Sequence, residues 1–580
     1  MTSISFYEKM GGRGGFKMEA KRIVLERNVA MKTRDGVTLM ADIYRPEEGK
    51  YPVLLTRLPY SKEYGLNFMR AEILAEAGYV VIVQDVRGRY SSAGKFVPYV
   101  AEANDGFDTI QWAANLPYAN GVVGMFGLSY YGYTQMLAAI SGAPELKAIA
   151  PVMAQNSMTD VFNDHNGALE LGMWETWNLE SMLPNLITRE GEISKHKERL
   201  QGILNDLDNI NSWYDFKPYV EWPPIVKTGA MSYFSDLMKL PSEDAHWEKL
   251  TVRDNYEKVN VPGLHIAGWY DCFLDKTIAN FENGHKRGLG DRLIIGPWTH
   301  ANFTQYIGER DFSSAANKFS GPNMHKIHLE WFDHHLKGAD VAEQEAVLYF
   351  AMGANEWRSA INWPLPNTRY TPFYFESEGS ANTRNGDGRL STRLPEGDGK
   401  PDFYTYNPEN PVPSNGGGTL HKGLQVDGPK NQAALELRED ILCYTSLPFE
   451  EEMEVTGPVS VELYAKTDAV NTDFTAKLVD VAPDGTAFNL ADGIIRASSV
   501  YENGVAQNIL KYTIDLWAVS NVFLKGHMIR VEISSSNFPR FDPNPNTGGS
   551  FIDTTASVPA HQTIFHDAAH PSCIILPIIR

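Results

Sequence analysis

Cysteine is scarce in this chain: three occur in 580 residues, Cys272, Cys443 and Cys573, far apart in sequence. That excludes a disulfide framework and any zinc site built on paired cysteines. It fits a reducing compartment, where each thiol serves as a small buried hydrophobe. Long apolar runs are missing too, and none reaches the ~20 residues that a membrane-spanning helix needs. Residues 1–18 are polar and glycine-rich, without the apolar centre of a secretion signal. The expected location is the cytoplasm. Basic charge is in deficit, with 52 Lys and Arg against 72 Asp and Glu, a formal net charge of −20. Nucleic acid and anionic membrane would both be repelled, so neither is expected as a partner.

What is present is ordinary for a globular protein, 43% hydrophobic and 21% charged residues. The length exceeds one core and predicts two to four domains. Residues 20–155 alternate apolar candidate strands (37–43, 53–57, 79–83, 122–126, 148–153) with helical stretches such as 68–76 and 103–114. This rhythm predicts a mostly parallel sheet covered on both faces. It lapses over 156–249, where polar sequence carries Trp, Met, Asn and Leu at helical spacing in places, as at 195–207. It resumes over 250–346, with strands at 264–268 and 293–296 and a closing helix at 325–336. From 347 to 580, short alternating strands such as 459–465 and 528–534 are parted by Gly, Pro, Asn and Asp turns. That is the pattern of an antiparallel β-sandwich or jelly roll. The predicted organisation is an α/β domain of 20–155 and 250–346, a helical cap insertion of 156–249 and an all-β jelly roll of 347–580. The glycine-rich stretch ending in Gly416-Gly417-Gly418 predicts loops. His561, His566 and His570 read as a solvated tail.

Chemistry collects around Gly127-Leu128-Ser129-Tyr130-Tyr131-Gly132, which lies between the apolar run Val122-Phe126 and the helix-compatible run Gln135-Ile140. A serine at a sharp strand-to-helix turn is how an α/β-hydrolase presents its nucleophile. The generic pattern is Gly-x-Ser-x-Gly, and here Tyr131 takes the last place, with glycine one position later. A nucleophilic serine needs a histidine base and a carboxylate to orient it, each at the carboxyl end of a strand. Asp271 follows the apolar run Leu264-Gly268, and His300 follows Leu293-Gly296. The chain order Ser129, Asp271, His300 is that of α/β-hydrolases. Gly268 and Gly296, at the two strand ends, are expected to let the chain turn. Oxyanion donors are expected from the Tyr130 amide and from the loop Leu58-Pro59-Tyr60-Ser61, where Tyr60 offers a phenol. Read from the residues alone, each of these has a bland alternative: a turn, a cap, or a packed aromatic.

These motifs together resemble the cocaine esterase and X-prolyl dipeptidyl peptidase group of serine hydrolases, the CocE/NonD family. The shifted glycine of the elbow, the run Gln84-Asp85-Val86-Arg87-Gly88-Arg89-Tyr90-Ser91-Ser92-Ala93-Gly94, Gly268-Trp269-Tyr270-Asp271 and Gly296-Pro297-Trp298-Thr299-His300 carry the likeness. So do Asn355-Glu356-Trp357-Arg358 and Trp363-Pro364-Leu365-Pro366 at the entry to the all-β part. The resemblance implies Ser129, Asp271 and His300 as a triad, and Tyr60 with the Tyr130 amide as oxyanion hole. It also implies a pocket with Phe162, Trp177 and Phe273 that takes small apolar or aromatic acyl groups of an ester or amide. No cofactor and no metal is needed. A homo-oligomer is compatible with the sequence.

Two other readings compete. One is an X-Pro dipeptidyl peptidase, or an α-amino acid ester hydrolase or acylase, which needs carboxylates to hold an ammonium group. Asp164, Glu170 and Glu175 in the insertion are available for that. The other is a glycan-binding sandwich carried on a degenerate hydrolase, against which the complete Ser, Asp and His set argues.

Overall fold

The computed structural model describes residues 22–579, except 64–68, 163–166, 190–192, 242–243, 301, 343, 424–426, 499–500, 503–504, 507 and 551. Its first sheet has ten strands: β1 (Ile23–Lys32), β2 (Thr38–Pro46), β3 (Tyr51–Leu58), β4 (Val80–Asp85), β5 (Ala119–Leu128), β6 (Leu146–Val152), β7 (Leu264–Tyr270), β8 (Arg292–Thr299), β9 (Val347–Ala351) and β10 (Glu356–Ala360). Their order is β1-β2-β4-β3-β5-β6-β7-β8-β9-β10. Strands β3 to β9 pair in parallel, while β1, β2 and β10 add antiparallel edges.

Strand β4 is buried at every position, and β3 at all but its first residue, because helices cover both faces. Leu54 of β3 joins the core that holds Leu74 of α1 (Ala71–Glu76) and Phe332 of the closing helix Met324–Lys337. Val53 and Leu55 point the other way, into the core holding Ile110 of α2 (Glu102–Ala114) and Leu137 of α3 (Tyr130–Ile140). This is the both-sides burial that makes central parallel strands read as continuous apolar runs.

Between β6 and β7 the chain leaves the sheet as a set of helices, among them Leu171–Thr176, Leu183–Arg189, Ile193–Asp208 and Ser232–Met238. Their aromatic residues Trp174, Trp222 and Phe234 share a core with α2 and α3. The cap is therefore packed onto the sheet layer rather than tethered to it.

A second sheet of eleven strands, from Thr368–Glu376 to Cys573–Ile579, forms the all-β part. Its pairings are antiparallel apart from one short contact between Arg389–Ser391 and Leu442–Thr445. Two sequence expectations need correction here. The strands 347–351 and 356–360 belong to the first sheet, so the α/β unit extends past 346. Val347, Leu348 and Tyr349 pair in parallel with Leu293, Ile294 and Ile295, and a short alternating strand looks the same at the edge of either sheet. The C-terminal histidines are not in a solvated tail: His566 is buried with its Nε2 3.0 Å from Asp402 Oδ2, and the strands 560–565 and 573–579 flank Met453–Thr467 in the sheet.

Candidate active site

Strands β5, β7 and β8 run in parallel, so their carboxyl ends open on one edge of the sheet. Each ends one residue before a residue of interest. Leu128 precedes Ser129, Tyr270 precedes Asp271, and Thr299 precedes His300. Ser129 has φ 60° and ψ −124°, a backbone conformation that a side chain normally avoids, between β5 and α3. Its neighbours explain how the turn tolerates Tyr131. A Cβ at Gly127, where φ is 148°, would stand 2.3 Å from the Tyr131 ring. A Cβ at Gly132 would stand 3.0 Å from the Val152 carbonyl oxygen. The elbow thus needs small residues at 127 and 132, and the tyrosine ring occupies the space that Gly127 leaves.

Gly268 and Gly296 play a different part from the expected one. They lie within β7 and β8, and neither adopts a left-handed φ. What each requires is room. A Cβ at Gly268 would meet the Trp298 carbonyl oxygen at 2.2 Å, and one at Gly296 would meet the Trp298 ring at 2.3 Å.

Asp271 and His300 follow directly on adjacent strands, whose last residues Tyr270 and Thr299 pair. The His300 Nδ1–H donates to Asp271 Oδ1 at 2.6 Å. The Phe273 amide donates to Asp271 Oδ2 at 3.1 Å, fixing the carboxylate. Both side chains are buried. With Nδ1 committed to the carboxylate, Nε2 is the imidazole nitrogen left for other work. Cys272 Sγ lies 3.8 Å from both Asp271 Oδ1 and His300 Nδ1. These three ligand atoms fall within 4.8 Å of one another. The short Asp271–His300 hydrogen bond occupies the space a metal would need, so the cluster reads as an acid–imidazole pair with a thiol beside it.

Ser129, Tyr60, Trp177 and Phe273 line one cavity, together with Tyr99, Gln155, Met158, Val161, Met173, Trp174 and Leu420. The Phe273 ring meets the His300 ring edge-on, with centroids 5.4 Å apart. The wall is mostly aromatic and aliphatic. Tyr60 follows β3, and burial pushes its phenol up to about 12 against the opposing pull of the Trp177 N–H and the Ser129 hydroxyl. It is therefore a neutral O–H donor at neutral pH. The Tyr130 amide is the first of α3, with no carbonyl one turn earlier in its own helix. The Tyr130 side chain is anchored away from the cavity edge. Its hydroxyl donates to Glu102 Oε1 at 3.0 Å and accepts from the Tyr99 amide at 3.0 Å, and its ring stacks on Tyr99 at 4.0 Å.

Phe162 ends the short helix Thr159–Phe162, and its side chain lies outside what is described, as does Asp164. Its neighbour Val161 is in the wall. The two other insertion carboxylates do not reach the cavity lining. Glu170 pairs with Arg540 at 3.5 Å. Glu175 is wholly buried in the cap, near the Tyr214 and Tyr219 phenols, with no hydrogen-bond partner for either oxygen among the described residues.

Burial alone holds the Glu175 carboxyl well above the usual range, so the folded protein binds this proton more tightly than the unfolded chain does. Unfolding releases that proton. Its contribution to stability is fully present below the unfolded carboxylate's pKa and is lost as pH climbs toward the folded one. Glu175→Gln should therefore gain thermal stability over the wild type at pH 8 and much less at pH 5. Melting curves at the two pH values check this, and an offset independent of pH would contradict it.

Part of the site escaped the sequence reading because the all-β part supplies it. Leu420 stands in the cavity wall. A Cβ at Gly418 would lie 3.1 Å from the Asp271 carbonyl oxygen. Asp427 is half-buried, with burial raising its carboxyl against the pull of the Thr299 hydroxyl and His300. The glycine triplet 416–418 was the available signal, since three glycines also permit a close backbone approach.

Two family models match the chain. The X-Pro dipeptidyl-peptidase (S15 family) model covers residues 35–302, and the X-Pro dipeptidyl-peptidase C-terminal non-catalytic domain covers 339–575. The cocaine esterase of a Rhodococcus species is 38% identical over 578 residues, 95% of this chain and 98% of its own. This chain belongs to the CocE/NonD family of serine hydrolases. Among solved structures, an aminopeptidase from a marine sediment archaeon (Thaumarchaeota) matches with a TM-score of 0.76 at 24% identity, over 100% of this chain and 99% of its own. An α-amino acid ester hydrolase matches with a TM-score of 0.72 at 22% identity, over the whole of both chains. These two likenesses establish the shared fold, an α/β-hydrolase domain followed by an all-β domain. As a CocE/NonD protein the chain is a serine hydrolase acting on small molecules.

Proposed function

We propose that the chain hydrolyses carboxylic esters of small apolar or aromatic acids through an acyl-enzyme on Ser129. The Asp271–His300 hydrogen bond of 2.6 Å, with a positive-φ Ser129 that shares a cavity wall with Phe273, whose ring meets His300, carries this reading. In the first step His300 Nε2 takes the Ser129 proton as the oxygen attacks the ester carbonyl. Asp271 holds the imidazole tautomer and stabilises the imidazolium. The Tyr60 phenol and the Tyr130 amide donate to the oxyanion. His300 then returns the proton to the leaving alcohol, and water discharges the acyl group by the same route. Trp177 and Phe273, with Met158, Val161 and Trp174 around them, make the wall that receives the acyl group.

A second reading, release of X-Pro dipeptides or hydrolysis of α-amino esters, draws on one observation, the Asp427 carboxyl beside Thr299 and His300. We favour the ester because Glu170 is paired with Arg540 and Glu175 is packed inside the cap. The described wall holds no carboxylate, and an ammonium group placed against it costs several kcal/mol. The expected result is a kcat/KM for p-nitrophenyl acetate at least ~100-fold above that for Gly-Pro p-nitroanilide. The reverse order, abolished by Asp427→Asn, would make the enzyme a peptidase.

The labour divides along the chain. Residues 20–155 and 250–360 form the catalytic unit, 156–249 the cap, and the sandwich from Thr368 onward contributes Leu420 and Asp427. We place the protein in the cytoplasm, a reading supported by three free, buried thiols. No described helix is long and apolar enough to cross a membrane.

A further inference from the structure

The motif Gln84–Gly94 has no role in the mechanism above, yet it contains Arg89, whose surroundings are unusual. Arg89 is fully buried. Among the described residues it has no carboxylate partner. Its Nε donates to the Pro59 carbonyl at 2.8 Å, its Nη1 to the Met182 carbonyl at 2.8 Å and its Nη2 to the Ser181 carbonyl at 3.0 Å. Its guanidinium also lies 5.1 Å from the centroid of the Phe96 ring and 5.2 Å from that of Tyr90. Leaving a buried cation without a counter-ion is costly, so the three carbonyls it joins call for a reason.

They belong to two segments that meet at the oxyanion site. Pro59 immediately precedes Tyr60. Ser181 and Met182 end the segment Trp177–Met182, which is a π-helix interrupting the cap helices. Single π-turns inside α-helices recur at functional sites. Here the side chain at the start of that turn is Trp177, and its indole Nε1–H donates to the Tyr60 phenol oxygen at 3.0 Å. The Trp177 ring also lies parallel to that of Tyr130, with centroids 6.2 Å apart.

A phenol oxygen carries one proton. When an N–H points at it from one side, its own O–H is directed to the other. Among the described residues, the Ser129 hydroxyl stands in the same cavity wall as the Tyr60 phenol and acts on it. An accepted hydrogen bond also polarises the O–H and strengthens its donation. We propose that Trp177 is a positioning residue that aims the Tyr60 hydroxyl at the oxyanion on Ser129, and that Arg89 locks the two segments at the spacing this requires. This inference rests on Tyr60 being an oxyanion donor, as argued above. Trp177 thus does more than line the acyl pocket, and the Gln84–Gly94 motif gains a task.

A double-mutant cycle separates aiming from lining. The variants are Tyr60→Phe, Trp177→Phe and their combination, with p-nitrophenyl acetate as substrate and phenylboronic acid as a probe that forms a tetrahedral adduct on the serine. Tyr60→Phe should lower kcat by about 10²–10³-fold, the usual loss of one oxyanion donor. Trp177→Phe should lower kcat by about tenfold and weaken the boronate by a similar factor, the size of one hydrogen bond. In the Tyr60→Phe background the same change should cost less than about twofold, because no hydroxyl is left to aim. Arg89→Lys keeps the charge and cannot reach three carbonyls. It should show the same dependence on Tyr60, and it carries the cycle if Trp177→Phe does not fold. Costs that multiply fully in the double variant, or a Trp177→Phe effect confined to KM, would overturn the inference. An unchanged kcat in Tyr60→Phe would instead remove the oxyanion role of Tyr60 on which it stands.

Discussion

Ser129→Ala should lower kcat for p-nitrophenyl acetate by at least ~10⁴-fold and leave the melting temperature close to that of the wild type. Single losses within a triad cost this much because base and carboxylate have nothing to act on without the hydroxyl. What activity survives comes from oxyanion donors and binding alone. The side chain is small and lies at the cavity edge, so its removal opens no core void. Alanine keeps the Cβ and meets the same positive φ as serine does. Activity within tenfold of the wild type would exclude Ser129 as nucleophile. A collapse in stability would mean that the hydroxyl is structural.

Arg540→Ala should be the most destabilising single change outside the site. Its guanidinium, buried between cap and sandwich, is bonded to Asp492 and lies 3.5 Å from Glu170. It also sits over the Trp517 and Phe541 rings, at 5.1 and 4.7 Å. Truncation leaves two buried carboxylates without their cation, which costs roughly 3–5 kcal/mol. Because Glu170 lies in the cap and Asp492 in the sandwich, the loss should loosen the seam against which Gly418 and Asp271 pack. The check is urea unfolding followed by tryptophan fluorescence, together with kcat/KM at 25 °C. A loss below about 1 kcal/mol would show that the pair is solvated, as exposed ion pairs are.

The sheet was legible because burial on both faces writes itself as apolar runs. Of the strands expected over 20–155, each is present with ends shifted by one to a few residues: most ends lie further out, while Thr38–Pro46 and Val80–Asp85 start one residue later and Leu146–Val152 ends one residue earlier. Asp271 and His300 were legible from position, since a parallel sheet gathers at one edge the residues just past its strand ends. Less legible were features that depend on contacts between distant segments. A short alternating strand such as 347–351 carries nothing local to say which sheet edge it joins. Gly268 and Gly296 looked like turn residues, yet the Trp298 backbone and ring are what demand them, and a turn and a close approach leave the same letter in the sequence. Leu420 and Asp427 lie far down the chain in a stretch that reads as loop, and only the docking of the sandwich brings them to the strand ends. The role of Arg89 was hidden for a similar reason. A buried arginine and a surface one look alike until its three carbonyls are seen.

Turnover requires Ser129 to be a nucleophile activated in place by His300. Treatment with a fluorophosphonate followed by peptide mass spectrometry tests this most directly. The expected result is one adduct, on the peptide containing Ser129, formed with loss of activity and nearly abolished in His300→Ala. An adduct on another serine, or none under conditions that label other serine esterases, would contradict it.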